Sequence, residues 1–307
     1  MTTQFQNGGL QVLQTEPLPD LVDMLEEDAK RACRAGLLLE TDFAALLAAG
    51  SEGMSERDLH KDFQDDSLSS CGVAHLTFAT VVAYDARRFP GQKPLHIRDF
   101  FDLERFPGKR GLRREPAAIL EWALLADGVP LSQVYDLLST ERGMRLALRR
   151  LDSIRDAIVW WERPEQAVEL LTSGQVAMSS GYNGRFFEAQ SRQQPLIILW
   201  DGQIIDRDVW AIPRGHGQLK PAVRAFLQFA LAPQQLAQLA ERIPYGPTRA
   251  SALERIGTHP QRGPMRDHLP TAPHHRQQAL LRDTRWYART ADWREREFCE
   301  WLERPNE

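Results

Sequence analysis

Cysteine is scarce in this sequence: three residues in 307, Cys33, Cys71 and Cys299, odd in number and far apart. That pattern makes neither a small disulfide scaffold nor a zinc ribbon, and it leaves the pairing of the three open. Long apolar runs are also missing. No stretch approaches the roughly 18 residues of a membrane span, and mean hydropathy is −0.43, so no stable membrane insertion is expected. Basic charge is not in excess: 38 Lys and Arg against 42 Asp and Glu leave a formal net charge of −4. This balance argues against a globally basic nucleic-acid binder and suits a neutral or cationic ligand. Met1 to Gly9 contain no basic stretch followed by an apolar one, so no secretory leader is read from Met1.

The usual signatures of catalysis are absent as well. Gly108-Lys109-Arg110 reads as a turn without the glycine-rich run that wraps phosphate, and no Gly-x-Ser-x-Gly elbow occurs. Cys71 and His75 stand four apart. On a strand their Cβ atoms would be about 13 Å apart, too far for a nucleophile and its base, so Cys71 reads as a buried structural cysteine. His259, His268, His274 and His275 lack the spacing of metal ligands and read as a polar surface loop. The expectation is a protein that is not an enzyme and carries no cofactor or metal.

With 42% hydrophobic and 26% charged residues, the chain has the composition of a globular protein of one large or two smaller domains. Short strand-like runs alternate with amphipathic helices. Glu26 to Ala35 reads as a helix with acids in its first turn and Gly36 at its end. Ser55 and Asp58 form a capping box. Val73 to Tyr84 reads as one long strand. Glu115-Pro116 opens a helix through Ala126, with Pro at the first helical position. Strands follow at 157–161, 175–179, 196–200 and 209–212, and helices at 164–172 and 186–192. Such alternation predicts an α/β fold with parallel-rich sheets, and at this length two lobes joined by two strands, with ligand bound outside the carboxyl ends of the strands.

A recurring association of aromatic and acidic residues falls at strand ends and turns: Trp200-Asp201, Asp206, Asp208-Val209-Trp210, Tyr182-Asn183-Gly184, Tyr245-Gly246-Pro247 and Trp286-Tyr287. Aromatic faces attract ammonium groups by about 0.5–2 kcal/mol each, and carboxylates fix them by charge-assisted hydrogen bonds. Together these are the requirements of a pocket for an extended organic polycation.

An ordered series of segments then becomes recognisable. Cys71-Gly72-Val73 into Ala83-Tyr84-Asp85, Phe106-Pro107-Gly108-Lys109-Arg110, Ala123 to Val129, Ser173 to Met178, Tyr182-Asn183-Gly184-Arg185, Trp200-Asp201-Gly202-Gln203, Trp210-Ala211-Ile212-Pro213, Ile243 to Thr248 and Leu269 to Pro273 together resemble the polyamine-type (spermidine/putrescine) periplasmic solute-binding proteins of ABC transporters. The resemblance runs from about residue 20 to 304. It implies a two-lobed periplasmic-binding-protein fold of type II with a two-strand hinge. Lobe 1 would comprise 1–86 with 209–254, and lobe 2 would comprise 87–208 with 255–307. Its implied partners are a polyamine-like cation held between the lobes and an ABC transporter permease, with the protein acting as a monomer.

By position, the resemblance assigns Asp208 to grip an amine, with Asp206 beside it. Tyr182 would be an aromatic wall, Tyr245 an aromatic from the first lobe, and Tyr287 a late polar contact. Glu115 would be the acid at the start of a second-lobe helix, although a second acid expected one turn later is matched by Ala118. Glu26 and Glu27 would lie in a first-lobe contact loop. Family members normally carry a signal peptide and a first strand–helix unit, and this chain is read as shortened there. The resemblance places it in the periplasm, whereas a true start at Met1 would leave it in the cytoplasm. The alternatives are a repurposed paralogue acting as a sensor or interaction protein, and the capture of another small cationic or amino-acid-like solute.

Overall fold

The computed structural model describes residues 3–5, 9–50, 53–63 and 67–304. Residues 1, 2 and 6–8, part of the segment read for a leader, lie outside the described residues. In chain order, the apolar run Leu21–Leu25 forms strand β1, with Thr3–Phe5 parallel beside it. Helix α1, Glu26–Arg34, has three acids in its first turn and Arg31 and Arg34 in its last, matching the helix dipole at both ends. Gly72–Asp85 is a single 14-residue strand, β2. Its β-branched and aromatic residues are buried almost without alternation, as in a strand covered on both faces.

Further along come β3 (Arg110–Arg113), α2 (Ile119–Ala126), β4 (Ile158–Trp161), α3 (Pro164–Thr172), β5 (Met178–Tyr182), α4 (Asn183–Ser191), β6 (Leu196–Ala211) and the long α5 (Thr284–Glu303). The capping box at Ser55 and Asp58 is formed, and α3 begins with its proline at the first turn.

Four expected boundaries differ. The helix expected from Glu115 starts at Ile119, because Ala118 takes a left-handed φ of 67° and ends a turn that contains Glu115 and Pro116. The strand expected at 175–179 lies at Met178–Tyr182. The Ala177 amide reaches back to Lys109 O at 2.8 Å, and pairing with β3 begins only at Met178 opposite Arg110. The helix expected from Phe186 begins at Asn183, whose side chain accepts the Ala79 amide at 3.0 Å. The two strands expected at 196–200 and 209–212 are one. Gly202, which reads as a break, sits within β6 at φ 71°, where a Cβ would come within 2.9 Å of Ile97 Cβ.

The chain forms two compact units, Met1–Phe78 with Asp206–Thr271, and Ala79–Ile205 with Ala272–Glu307. In the first, β1 runs antiparallel to the end of β6. A core of Leu21, Phe43, Leu46, Val73, Trp210 and Leu227 fills one side, and Val22, Met24, Ala32, Cys71 and Val209 form a second cluster. Cys71 is buried and structural, as expected. It is bonded to Cys33 of α1, with Cα atoms 5.8 Å apart.

In the second unit β5, β3 and β4 are parallel, and residues 80–84 of β2 run antiparallel to β5. The apolar helix α2 packs there with Phe100, Trp286 and Trp301. Fully buried Arg110 donates to the carbonyls of Phe100, Phe106 and Gly108 at 2.6, 2.6 and 2.7 Å. Burial lowers its guanidinium to about 10. The turn read at Gly108-Lys109-Arg110 is thus folded around its own arginine.

The disulfide closes a loop between residues 38 apart in sequence. By loop-closure entropy it should contribute about 4 kcal/mol. The double substitution Cys33→Ser, Cys71→Ser should lower the urea midpoint accordingly, and a loss below about 1 kcal/mol would show that this cross-link is not a main constraint.

Candidate functional site

In the first unit, Asp23 of β1 lies opposite Trp210 of β6, and Leu25 opposite Asp208. Alternation along paired strands puts Asp23, Asp208 and Trp210 on one face. Strand β2 adds His75, whose ring stacks on Trp210 with centroids 4.7 Å apart and whose Nε2 is 2.9 Å from Asp23 Oδ1. Asp208 is half-buried overall, while its Oδ1 is sealed from solvent and, among the described residues, has no hydrogen-bond partner. Burial first, then the charges of Asp23 and Asp206, push its carboxyl well above the usual carboxylate range.

The residues between and beside these have other work. Asp206 accepts the Arg207 amide at 2.9 Å. Arg207, on the alternate face, donates through Nε to Glu26 Oε2 at 2.7 Å, and Lys30 Nζ lies 2.6 Å from Glu26 Oε1. Glu26 is therefore neutralised by two cations from its own unit. Glu27 follows it, half-buried in the first turn of α1. Tyr245 is half-buried, with its ring 6.2 Å from that of Phe78.

In the second unit, parallel strands β3, β4 and β5 end at Arg113, Trp161 and Tyr182. Carboxyl ends of parallel strands are where open α/β sheets bind ligands. Arg113 donates to the Tyr182 hydroxyl at 2.5 Å and pairs with Glu115 at 2.8 Å, its guanidinium 6.0 Å from the rings of both Trp161 and Tyr182. Helix α4 begins directly after Tyr182, with Arg185 in its first turn. The Arg185 side chain is engaged by Glu165 at 3.2 Å and Glu188 at 3.9 Å. Tyr287 is elsewhere in this unit. It is fully buried on α5, its hydroxyl donating to Glu121 of α2 and accepting the Ala118 amide at 3.4 Å. Burial and the neighbouring Glu121 raise its phenol well above the ordinary value.

Of the eight residues singled out in the sequence, the structure collects Asp206 and Asp208 at one acid face and joins Tyr182 to Glu115 through Arg113. Glu115 is not at a helix start as expected, and Tyr287 and Glu26 are held by internal partners. Asp23, His75 and Arg113 were missed. The available signal was a single polar residue inside an apolar strand: Asp23 within Leu-Val-Asp-Met-Leu and His75 within Val-Ala-His-Leu-Thr-Phe.

The family model for bacterial extracellular solute-binding proteins matches residues 6–264. The chain belongs to this family. A curated relative is the gamma-aminobutyric acid-binding protein of Pseudomonas aeruginosa, 34% identical over 273 residues that cover 87% of this chain and 76% of that protein. Among solved structures, an ABC transporter substrate-binding protein from Bradyrhizobium japonicum USDA 110 superposes with a TM-score of 0.81 at 26% identity, over 97% of this chain and 86% of the other. The PBP MotA from A. tumefaciens B6, solved in complex with glucopine, gives a TM-score of 0.81 at 24% identity, over 97% and 88%. The likeness shows the expected α/β periplasmic-binding-protein fold for this solute-binding protein. The family is one of substrate-binding proteins, not of enzymes.

The acid face carries a pH signature. Asp208 keeps its proton to higher pH in the folded chain than in the unfolded one. Its contribution to stability is therefore fully present below the unfolded carboxyl range and is lost as pH rises through the folded value, by at most about 1.4 kcal/mol per unit. Asp208→Asn should abolish that loss. Denaturation curves of the two proteins between pH 4 and 8 check this, and parallel pH profiles would show that Asp208 is not under this burden.

Proposed function

We propose that this solute-binding protein is the capturing component of an ABC importer, working in the periplasm, and that its solute is a small zwitterion with a primary ammonium and a carboxylate, of the class of gamma-aminobutyric acid. The observation that carries this reading is the sealed Asp208 Oδ1, unpartnered among the described residues, beside Asp23 and Asp206. An ammonium group supplies the three donors and the positive charge that such a face lacks. His75 stacked on Trp210 backs the acid face with buried aromatic rings.

Taken by itself, the second unit also carries a group suited to a carboxylate. Arg113, at the end of β3, offers a planar donor fork. The relative at 34% identity is named for a zwitterion of this class. The disulfide between Cys33 and Cys71 fits an oxidising compartment. Capture forms no covalent bond between solute and protein.

A polyamine is the second reading, favoured by the mildly acidic balance of the chain and by Glu115 as a further carboxylate. Glu115 is paired with Arg113 at 2.8 Å, however, and the guanidinium beside it repels a second ammonium.

Calorimetry on the full chain separates the two. Gamma-aminobutyric acid should bind with micromolar or tighter affinity and putrescine at least about tenfold more weakly. Asp208→Ala should weaken the zwitterion about 100-fold, the value of a lost charged hydrogen bond. Arg113→Met should weaken it by about tenfold or more. Unchanged affinity in Asp208→Ala would remove the basis of the reading, and a preference for putrescine would move the assignment to a polyamine.

A further inference from the structure

The acid face leaves open how it tolerates its own charge when empty. The carboxylates bearing on Asp208 are Asp23 of β1 and Asp206 of β6, with His75 of β2 set against Asp23, while Arg207 lies on the alternate face with Glu26 and Lys30 of α1. The two cations, Arg207 and Lys30, both hold Glu26. His75 is directed to Asp23 Oδ1, and its ring is fixed against Trp210. Asp23 is thereby turned into place on the face it shares with Asp208, whose Oδ1 has no hydrogen-bond partner among the described residues.

We infer that Asp23 and Asp208 form a two-carboxylate seat that holds a proton when empty and releases it to solvent when an ammonium group enters, with His75 as the positioning residue for Asp23. The inference rests on the proposed ammonium-bearing solute. In the step, the Asp208 carboxyl O–H bond breaks and the proton passes to water. The electron pair stays on oxygen, which then accepts an N–H of the ammonium. Nothing is oxidised or reduced.

Burial and the neighbouring carboxylates favour the protonated form of Asp208 in the empty protein. The entering cation reverses that balance. Affinity for an ammonium should therefore rise with pH, approaching about tenfold per unit while the empty seat is protonated. A neutral isostere of the solute would release no proton.

The test is calorimetric titration of the full chain with gamma-aminobutyric acid and with n-butylammonium, each in phosphate and in ACES, from pH 6 to 7.5. The difference in heat between buffers counts the protons released. Release of a substantial fraction of one proton is expected with both probes. Asp23→Asn should release fewer protons, bind more weakly and show a shallower pH profile. His75→Leu should weaken binding about tenfold, and His75→Gln, whose amide can still donate to Asp23, should restore it. Binding of both probes without proton exchange would overturn the inference and leave the zwitterion reading intact. Butylammonium binding with proton release, while gamma-aminobutyric acid stays unbound, would support the seat and overturn the zwitterion reading. Failure of both probes to bind would overturn both.

Discussion

The antiparallel pairing of β1 with the end of β6 is the constraint on which the rest of this site depends. It sets Asp23 against Trp210 and Leu25 against Asp208, and so gathers acids from sequence positions nearly 200 apart onto one sheet face. Like charges placed this closely in a partly dry environment repel, and burial of a carboxylate without a partner costs a few kcal/mol. A fold maximised for stability would pair or remove Asp208. Its neighbour Glu26 shows that the chain can do so, for Glu26 has both Arg207 and Lys30 upon it. The contrast between two acids of one unit, one fully compensated and one not, is the physical basis for reading the second as poised for a ligand.

The second unit handles charge in the opposite sense. Arg110 is folded into the backbone, with its donors consumed by carbonyls of the preceding loop, and serves the fold. Arg113, three residues on at the end of the same strand, keeps part of its guanidinium toward solvent between Tyr182 and Glu115. The strand thus separates a structural arginine from one at the carboxyl edge of the sheet, where backbone geometry leaves room for a small molecule.

Much of the fold was legible because local rules and tertiary packing agree. Strand β2 reads as a strand from its unbroken β-branched and aromatic run, α1 from its charge polarity, and α3 from its opening proline. Strand β6 was divided in error, since Gly202 and the charged triplet Asp206-Arg207-Asp208 look like turn residues. They belong to a strand because the partners that tolerate them, Ile97 for the glycine and Glu26 for the arginine, lie over 100 residues away. The site was half legible for the same reason. Asp208 could be named from its segment, but the contact of Asp23 with His75 comes only through strand register, and Glu115 is paired with an arginine two residues earlier.

Register also gives the disulfide a second significance. Cys71 stands four residues before His75, one residue outside β2, and is covalently fixed to α1, the helix that follows directly from β1. Because side chains alternate with period two, a slip of β2 by a single residue would carry His75 to the opposite face and leave Asp23 without its partner. A covalent anchor so near the start of the strand forbids that slip. The cross-link therefore acts as an alignment mark, ensuring that three strands meet with the intended faces together each time the chain folds.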